Sequence, residues 1–209
     1  QYGSVVWTPD DKAIYCRSNE ENGKDFFIYR MEIPSAEMKR VFGEKDGVNG
    51  QNAVADLSDD GTQLVVSHAT SNVNNDLFLV DLPSGKWQQL TKDDRDVAYD
   101  GVTLMKDNRT LWLTCNDNPD GLARLATLTV GSPQVQYVND GWLDPKWEVE
   151  SLSFSQDRRF MSAVLNEDGY ARLKMREVAT KTPLPNPPLD GILGAASFDQ
   201  NGACVMSFS

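Results

Sequence analysis

The segment from Ala53 to Thr91 reads AVADLSDDGTQLVVSHATSNVNNDLFLVDLPSGKWQQLT, and it decides the fold. Apolar runs alternate in it with polar turns. The first turn, Ser58-Asp59-Asp60-Gly61, ends in Asp-Gly, a strong hairpin signal because both residues tolerate positive φ. A polar stretch and a Pro-Ser-Gly-Lys turn separate the later apolar runs. The segment therefore predicts four antiparallel strands in about forty residues.

The same pattern recurs along the whole chain. In each unit, the residue just before the first hairpin is followed by a polar turn and then by an apolar run. This position recurs at intervals of 44 to 50 residues, at Trp7, Leu57, Met105, Phe154 and Phe198. Repetition at this period, in strands without helices, predicts an all-β propeller built of four-stranded antiparallel blades.

The repeats place residues 1–209 in a single propeller array. The expected blades span residues 5–49, 53–97, 101–140 and 150–188, and a partial blade spans residues 193–209. About four and a half blades leave strand edges without partners. Two explanations therefore stay open: the chain is a portion of a larger propeller, or a second chain completes it by self-association through the open blade edges. Four prolines between Thr182 and Pro188 exclude a central strand in that segment.

Composition narrows the range of functions. The chain carries a formal net charge of −11, a sign that repels nucleic-acid phosphates and anionic membrane surfaces, so we expect neither as a partner. Cys16, Cys115 and Cys204 fall on second strands of different blades, which favours buried thiols over a disulfide framework. No signal peptide precedes the first strand, which favours a cytoplasmic location.

Three stretches of the second unit resemble a known repeat: Ser-Asp-Asp-Gly, then Asp-Leu-Phe-Leu-Val-Asp-Leu, then Gln-Gln-Leu-Thr. The unit resembles the WD40-like repeat of TolB-type propellers. It is equally similar to the repeat in the propeller domain of prolyl oligopeptidase-family (S9) serine peptidases, which include acylaminoacyl and dipeptidyl peptidases. The segment from Trp147 to Ser155 resembles the peptidase propellers more than TolB. Lys106, Arg109 and Arg158 depart from the Ser or Gly usual in such turns.

The resemblance implies a function by association with another domain. By this resemblance, a propeller of the peptidase type is non-catalytic, joins an α/β-hydrolase domain of the same parent chain, and caps its active site so that entry is restricted to peptides and small substrates. No hydrolase domain is present in this chain. The alternative is a stand-alone TolB-like or WD40-like scaffold that binds proteins. The blade repeat itself favours neither function, because such blades serve many roles.

We expect no catalytic residue, no metal and no cofactor in this chain. It has no Gly-x-Ser-x-Gly elbow, and its single histidine, His68, ends a predicted strand rather than joining a triad. The segment Asn116–Gly121 resembles the first half of a calcium loop. However, Thr127 stands where a bidentate Glu is required, so we interpret the segment as a turn.

Two loops between blades are candidate interfaces. The loop between the second and third blades is charged. It is either a solvated surface loop or a functional loop that faces a substrate or an adjoining domain. The loop between the third and fourth blades carries two tryptophans. Because Trp prefers burial or an interface, these side chains either contact a partner or pack between the two blades. The candidate residues are Asp93, Asp94, Arg95, Trp142 and Trp147.

Overall fold

The computed structural model of the chain describes residues 1–43, 45, 47–92, 95–132, 134–185, 196–198, 203–205 and 207. Its elements are β-strands, numbered here in chain order. They are β1 (Tyr2–Trp7), β2 (Ala13–Ser18), β3 (Phe27–Glu32), β4 (Met38–Phe42), β5 (Gln51–Leu57), β6 (Gln63–Ala69), β7 (Asn75–Asp81), β8 (Lys86–Gln89), β9 (Tyr99–Leu104), β10 (Thr110–Cys115), β11 (Arg124–Thr129), β12 (Gln136–Tyr137), β13 (Glu148–Phe154), β14 (Phe160–Glu167), β15 (Tyr170–Glu177), β16 (Ser197–Phe198) and β17 (Cys204–Val205).

Each strand pairs with the next one in the chain within its own sheet. Three sheets have four strands: β1 to β4, β5 to β8, and β9 to β12. β13, β14 and β15 form a three-stranded sheet, and β16 pairs with β17. Beyond β15, Pro183 makes an isolated bridge to Arg176, while the rest of the proline-rich segment lies outside the described residues. The prediction of an all-β chain made of four-stranded antiparallel meanders is confirmed.

The first hairpin has one geometry in four successive sheets. The residue that opens the turn donates its N–H to the carbonyl oxygen five residues later, at 2.8 to 2.9 Å: Thr8 to Ala13, Ser58 to Gln63, Met105 to Thr110, and Ser155 to Phe160. The fourth residue of the turn has positive φ in every case: Asp11 (57°), Gly61 (68°), Asn108 (52°) and Arg158 (57°). The backbone pattern is therefore constant although the residue in the left-handed conformation is not.

This pattern corrects the sequence alignment of the third blade by one residue. Met105 opens its turn, so Leu104 and not Met105 corresponds to Trp7, Leu57 and Phe154. In the second sheet the opening residue is a serine, and its hydroxyl accepts the N–H of Gln63 at 2.9 Å. Met105 has no hydroxyl to take that role in the third sheet. Because Leu104 and Met105 are both apolar, the sequence does not show which of them ends the strand.

The chain divides into two compact units, which are described separately. The first comprises Gln1–Tyr99, Leu104–Thr110 and Thr129–Gln134, and the second comprises Asp100–Thr103, Leu111–Leu128 and Val135–Ser209. Among the described residues, no helix has the length and apolar character of a membrane span.

In the first unit, the first two sheets enclose a common apolar core. Tyr15 and Ile28 of the first sheet and Val66 and Phe78 of the second belong to it. Leu57, the last residue of β5, is also part of this core and is 5% exposed. Full burial of one such side chain stabilises a fold by roughly 1.5–3 kcal/mol, so this core holds the two sheets together.

In the second unit, the core forms around β13 and β14. Its buried members are Leu125, Val149, Leu152, Met161, Ala163 and Leu165. Partly buried aromatic side chains pack against it, among them Trp112, Trp142, Trp147 and Phe154. Two of these tryptophans come from the loop between β12 and β13, so this loop is attached to the core by apolar contacts.

Candidate functional site

The loop between β12 and β13 brings both predicted tryptophans into one place. Trp142 and Trp147 are partly buried and pack against the core of the second unit. Of the two roles considered for them, packing is the one that these contacts support. An additional contact with a partner stays a prediction.

A buried cation lies beneath Trp142. Arg176, on β15, is 1% exposed, and its guanidinium carbon is 4.2 Å from the centroid of the Trp142 ring and 5.7 Å from that of Trp112. Its Nη1 donates to Asp140 Oδ2 at 2.6 Å, and Lys181 Nζ lies 3.5 Å from the same oxygen. The charge is thus paired and enclosed by aromatic rings, as a buried charge requires.

The electrostatics of Asp140 follow from this arrangement. Partial burial works to raise the pKa of Asp140, but the hydrogen bond from Arg176 and the charges of Arg176 and Lys181 outweigh it. The pKa of Asp140 therefore lies below its ordinary value, and the carboxylate stays ionised at neutral pH. This ion pair secures the loop to β15.

Trp147, the other tryptophan of this loop, contacts a lysine and lines a small cavity. Lys146 Nζ lies 4.3 Å from the centroid of its ring. Trp147, Arg124, Tyr137, Asn139 and Pro145 belong to the lining of a cavity of about 30 Å³. That space is large enough for a water-sized group.

The charged loop of the first unit is described only in part. Asp93 and Asp94 lie outside the described residues. Arg95 is exposed, and its backbone carbonyl accepts hydrogen bonds from the amide of Asn74 and from the N–H of Val97. The backbone here is fixed by these bonds, and a role of the loop as an interface stays a prediction.

The single histidine is part of a buried polar group in the first unit. Asn52 is fully buried, and its amide donates to the carbonyls of Phe26 (2.9 Å) and Val48 (3.0 Å). Its Oδ1 therefore faces His68 Nδ1 at 3.0 Å, which assigns the proton of the imidazole to Nδ1. Burial lowers the pKa of His68, against an opposing effect of Asp76. The imidazole thus bonds to an amide, where a triad would place a carboxylate.

The segment that resembles a calcium loop forms a turn with internal hydrogen bonds. Asn118 N–H donates to Asn116 O at 2.8 Å, and Gly121 N–H donates to Asn118 O at 3.0 Å. Asp120 forms an ion pair with Arg124. Within the described parts of the chain, no group of three or more His, Cys, Asp or Glu residues is placed to hold a metal ion.

A shallow groove of about 290 Å³ lies on the second sheet. Gln63, Asp81, Lys86 and Gln88 line it together with Leu79 and Trp87. Gln63 Oε1 is buried there and has no hydrogen-bond partner. The groove offers a carboxylate, an ammonium group and two amides, which is the chemistry that hydrogen-bonds a polar peptide.

Sequence reasoning missed the two most buried polar side chains of these sites, Arg176 and Asn52. Arg176 lies in the alternation Arg172-Leu173-Lys174-Met175-Arg176, which suggests three exposed cations in a row. Its burial depends on Trp112 and Trp142, which are distant in sequence. No local signal distinguishes it from the other two cations.

Comparison with known proteins gives a family and a fold. The family model described as "Prolyl oligopeptidase, N-terminal beta-propeller domain" matches residues 1–202. A search of curated proteins gives no match. Among solved structures, the chain is similar to prolyl oligopeptidase B from Galerina marginata, with a TM-score of 0.77 and 12% identity over 100% of this chain and 30% of that one.

Two further structures extend the comparison. TolB from Acinetobacter baumannii has a TM-score of 0.66 and 18% identity over 97% of this chain and 47% of its own. One of two characterised prolyl endopeptidases has a TM-score of 0.70 and 17% identity over 96% of this chain and 30% of its own. The chain thus spans less than half the length of each of these structures. Such low identities establish the β-propeller fold alone, whereas the family model covers nearly the whole sequence. The chain belongs to the family of N-terminal β-propeller domains of prolyl oligopeptidases.

Proposed function

We propose that this chain is the non-catalytic propeller portion of an S9-type serine peptidase, and that it gates the access of peptides to a hydrolase domain of the same protein. The observation that carries the proposal is the family match over residues 1–202, because that family is the N-terminal part of a peptidase. In this assignment the hydrolase domain supplies the nucleophile, the base and the acid. The propeller supplies a barrier.

The physical basis of the barrier is rigidity. Sheets whose faces are buried in close-packed cores do not deform to admit a bulky object. The cores of the two units, with fully buried residues such as Leu64 in the first and Leu165 in the second, have this character. A wall of this kind admits short flexible chains and rejects folded ones.

The test uses the full-length protein that contains this chain. It should cleave a short chromogenic peptide and leave intact a folded protein that carries the same cleavable sequence. The substitution Val66→Ala, in the core between the first two sheets, should increase cleavage of the folded substrate. The substitution Lys39→Ala, at an exposed position of β4, is the matched control and should change neither rate.

Two results would contradict the gating proposal. One is wild-type cleavage of the folded substrate at the rate of the short peptide. The other is turnover of the peptide by residues 1–209 alone that a serine-directed inhibitor abolishes.

A second candidate is a TolB-like scaffold that binds proteins, completed by a second chain through its open blade edges. The similarity to TolB supports it, as does the polar groove on the second sheet. Trp7 also supports a partner: it is 54% exposed, whereas the corresponding residues Leu57 and Leu104 are 5% and 0% exposed. A solution mass near twice 23.3 kDa for residues 1–209 would favour self-association, and a mass of 23.3 kDa would count against it.

A further inference from the structure

We propose that Asn49 is a site of spontaneous covalent modification, at which the side-chain amide is lost and the main chain is converted in part to an isoaspartyl linkage. The proposal concerns the segment between β4 and β5 of the first unit. It is independent of any hydrolase domain and of the gating function.

The residues at this position have the chemistry for the reaction. Asn49 is followed by Gly50, which has no side chain to shield its backbone nitrogen from the neighbouring amide carbon. Asn49 is exposed, so water reaches it. Within the described residues, neither the side chain of Asn49 nor the N–H of Gly50 forms a hydrogen bond. Neither the nucleophile nor the electrophile is therefore held by a hydrogen bond of its own.

The reaction balances without any redox partner. The deprotonated nitrogen of Gly50 attacks Cγ of Asn49, a new C–N bond closes a five-membered imide, and Nδ2 leaves as ammonia. Water then opens the imide at one of its two carbonyls. Opening at Cγ gives aspartate, and opening at the main-chain carbonyl gives isoaspartate. Both products carry one additional negative charge, and the second has one additional methylene in the main chain.

The surroundings of Asn49 make the isomer consequential. The carbonyl of Gly50 accepts the N–H of Phe26 at 2.7 Å, and the carbonyl of Val48 accepts the amide of Asn52 at 3.0 Å. These two bonds flank Asn49 and fix the spacing of the main chain across it. A longer main chain cannot keep both bonds, and the loss of either leaves a buried polar group of the network around Asn52 without its partner.

Other asparagines provide internal controls. Asn108 is followed by Arg109, and its Nδ2 donates to Asp60 Oδ2 at 2.7 Å, so its amide is held away from the next nitrogen. The sequence has two further Asn-Gly pairs. In Asn22-Gly23, Asn22 Nδ2 donates to Asp25 Oδ2 at 3.0 Å, so this amide is held, and Asn201-Gly202 lies outside the described residues. The substitution Asn201→Gln removes the pair outside the described residues. Asn22 and Asn49 lie on different tryptic peptides, so peptide mapping separates a change at one from a change at the other.

The experiment ages the N201Q chain in a mildly alkaline buffer and maps its peptides by mass spectrometry. We expect loss of the amide at Asn49 and not at Asn108, and labelling of the same peptide by an isoaspartyl methyltransferase with S-adenosylmethionine. The variant Asn49→Gln, which would have to close a six-membered ring, should remain unlabelled. Aged protein should also show a Tm lower by about 2–4 °C, the shift expected for one lost buried hydrogen bond.

Three outcomes would overturn the proposal. The first is retention of the Asn49 amide for as long as that of Asn108. The second is reaction only after the chain is unfolded in urea, which would mean that the fold protects Asn49. The third is labelling of N49Q at the same peptide. Modification at Asn49 without a change in Tm would overturn the structural consequence.

Discussion

The guanidinium carbon of Arg176 lies 4.2 Å from the centroid of the Trp142 ring, and the arginine side chain is almost completely enclosed. A cation over an indole face contributes about 2 kcal/mol when both are desolvated. Because Asp140 precedes Trp142 by two residues and binds the same guanidinium, one buried charge secures the loop at two points. The loop that carries the candidate tryptophans is therefore a fixed part of the second unit.

Removal of this charge should strongly destabilise the protein. We expect Arg176→Ala to lower the free energy of unfolding by about 3–5 kcal/mol, because it leaves the carboxylate of Asp140 without its main partner and two indole rings without their contact. Urea denaturation followed by tryptophan fluorescence measures the change. The control is Arg159→Ala, which removes an exposed ion pair with Glu177 and should cost no more than about 1 kcal/mol. Equal midpoints for the two variants would contradict the prediction.

The hydroxyl that opens the second hairpin should also matter. Ser58 is 1% exposed, and its Oγ accepts the N–H groups of Thr62 (3.0 Å) and Gln63 (2.9 Å). Ser58→Ala leaves these donors with fewer acceptors, so the expected loss is about 1–3 kcal/mol. Ser71→Ala, in an exposed loop, should change stability by no more than about 0.5 kcal/mol. Thermal unfolding measures the stability of both variants. An unchanged stability of Ser58→Ala would show that the turn does not depend on the Ser58 hydroxyl.

Stability should fall on mild acidification because of His68. Burial lowers the pKa of His68 in the folded state, whereas the unfolded value is about 6.5. Below that value the unfolded chain takes up a proton that the folded chain refuses, so the free energy of unfolding decreases as the pH falls from about 6.5 towards the folded pKa. Above about pH 6.5, His68 is neutral in both states and does not affect the free energy of unfolding.

The measurement is a set of urea midpoints between about pH 7.5 and about pH 5.5, a range that brackets the ordinary pKa of histidine, and His68 is the single histidine of the sequence. The variant His68→Gln keeps a donor for Asn52 but does not titrate, so its midpoint should vary less over the same range. An unchanged pH dependence in His68→Gln would assign the effect to another group.

Two residues at equivalent positions should differ sharply in their tolerance of substitution. Leu57→Ala should cost about 2–5 kcal/mol, because it leaves a cavity in the core of the first unit. Trp7→Ala should cost less than about 1 kcal/mol in the isolated chain, since half of that side chain is exposed. Chemical denaturation compares them directly. A larger loss for Trp7 would mean that this tryptophan already has a partner, such as a second copy of the chain.

The strand pattern could be predicted from the sequence because alternation of apolar and polar residues is a local property. The Asp-Gly turn at Gly61 and the apolar run of β7 identify the second sheet without any knowledge of the rest. The end of β9 could not be placed in the same way, because Leu104 and Met105 are both apolar and only the hydrogen bond from Met105 to Thr110 distinguishes them. Local pattern thus predicted the sheets but placed the end of β9 one residue too late, at Met105 instead of Leu104.

The candidate sites were less predictable because their contacts join residues that are distant in sequence. The sequence identifies Trp142 and Trp147 only as aromatic residues in a loop, whereas their packing against the core of the second unit depends on residues far from them in the chain. Arg176 and Asn52 gave no signal at all, since a cation in a polar strand and an amide at a strand start are ordinary on the surface. Their burial follows from the approach of neighbouring sheets, which no short window of sequence encodes.

The shared geometry of the first hairpins explains how this architecture survives extensive divergence. Asp11, Gly61, Asn108 and Arg158 occupy the same left-handed position, so the shape of the turn is held by main-chain bonds and does not require one residue type there. Several residue types can therefore occupy this position of the turn without changing its main-chain hydrogen bond. A TM-score of 0.77 alongside 12% identity is the result expected for a fold that main-chain hydrogen bonds specify and that many different side chains can occupy.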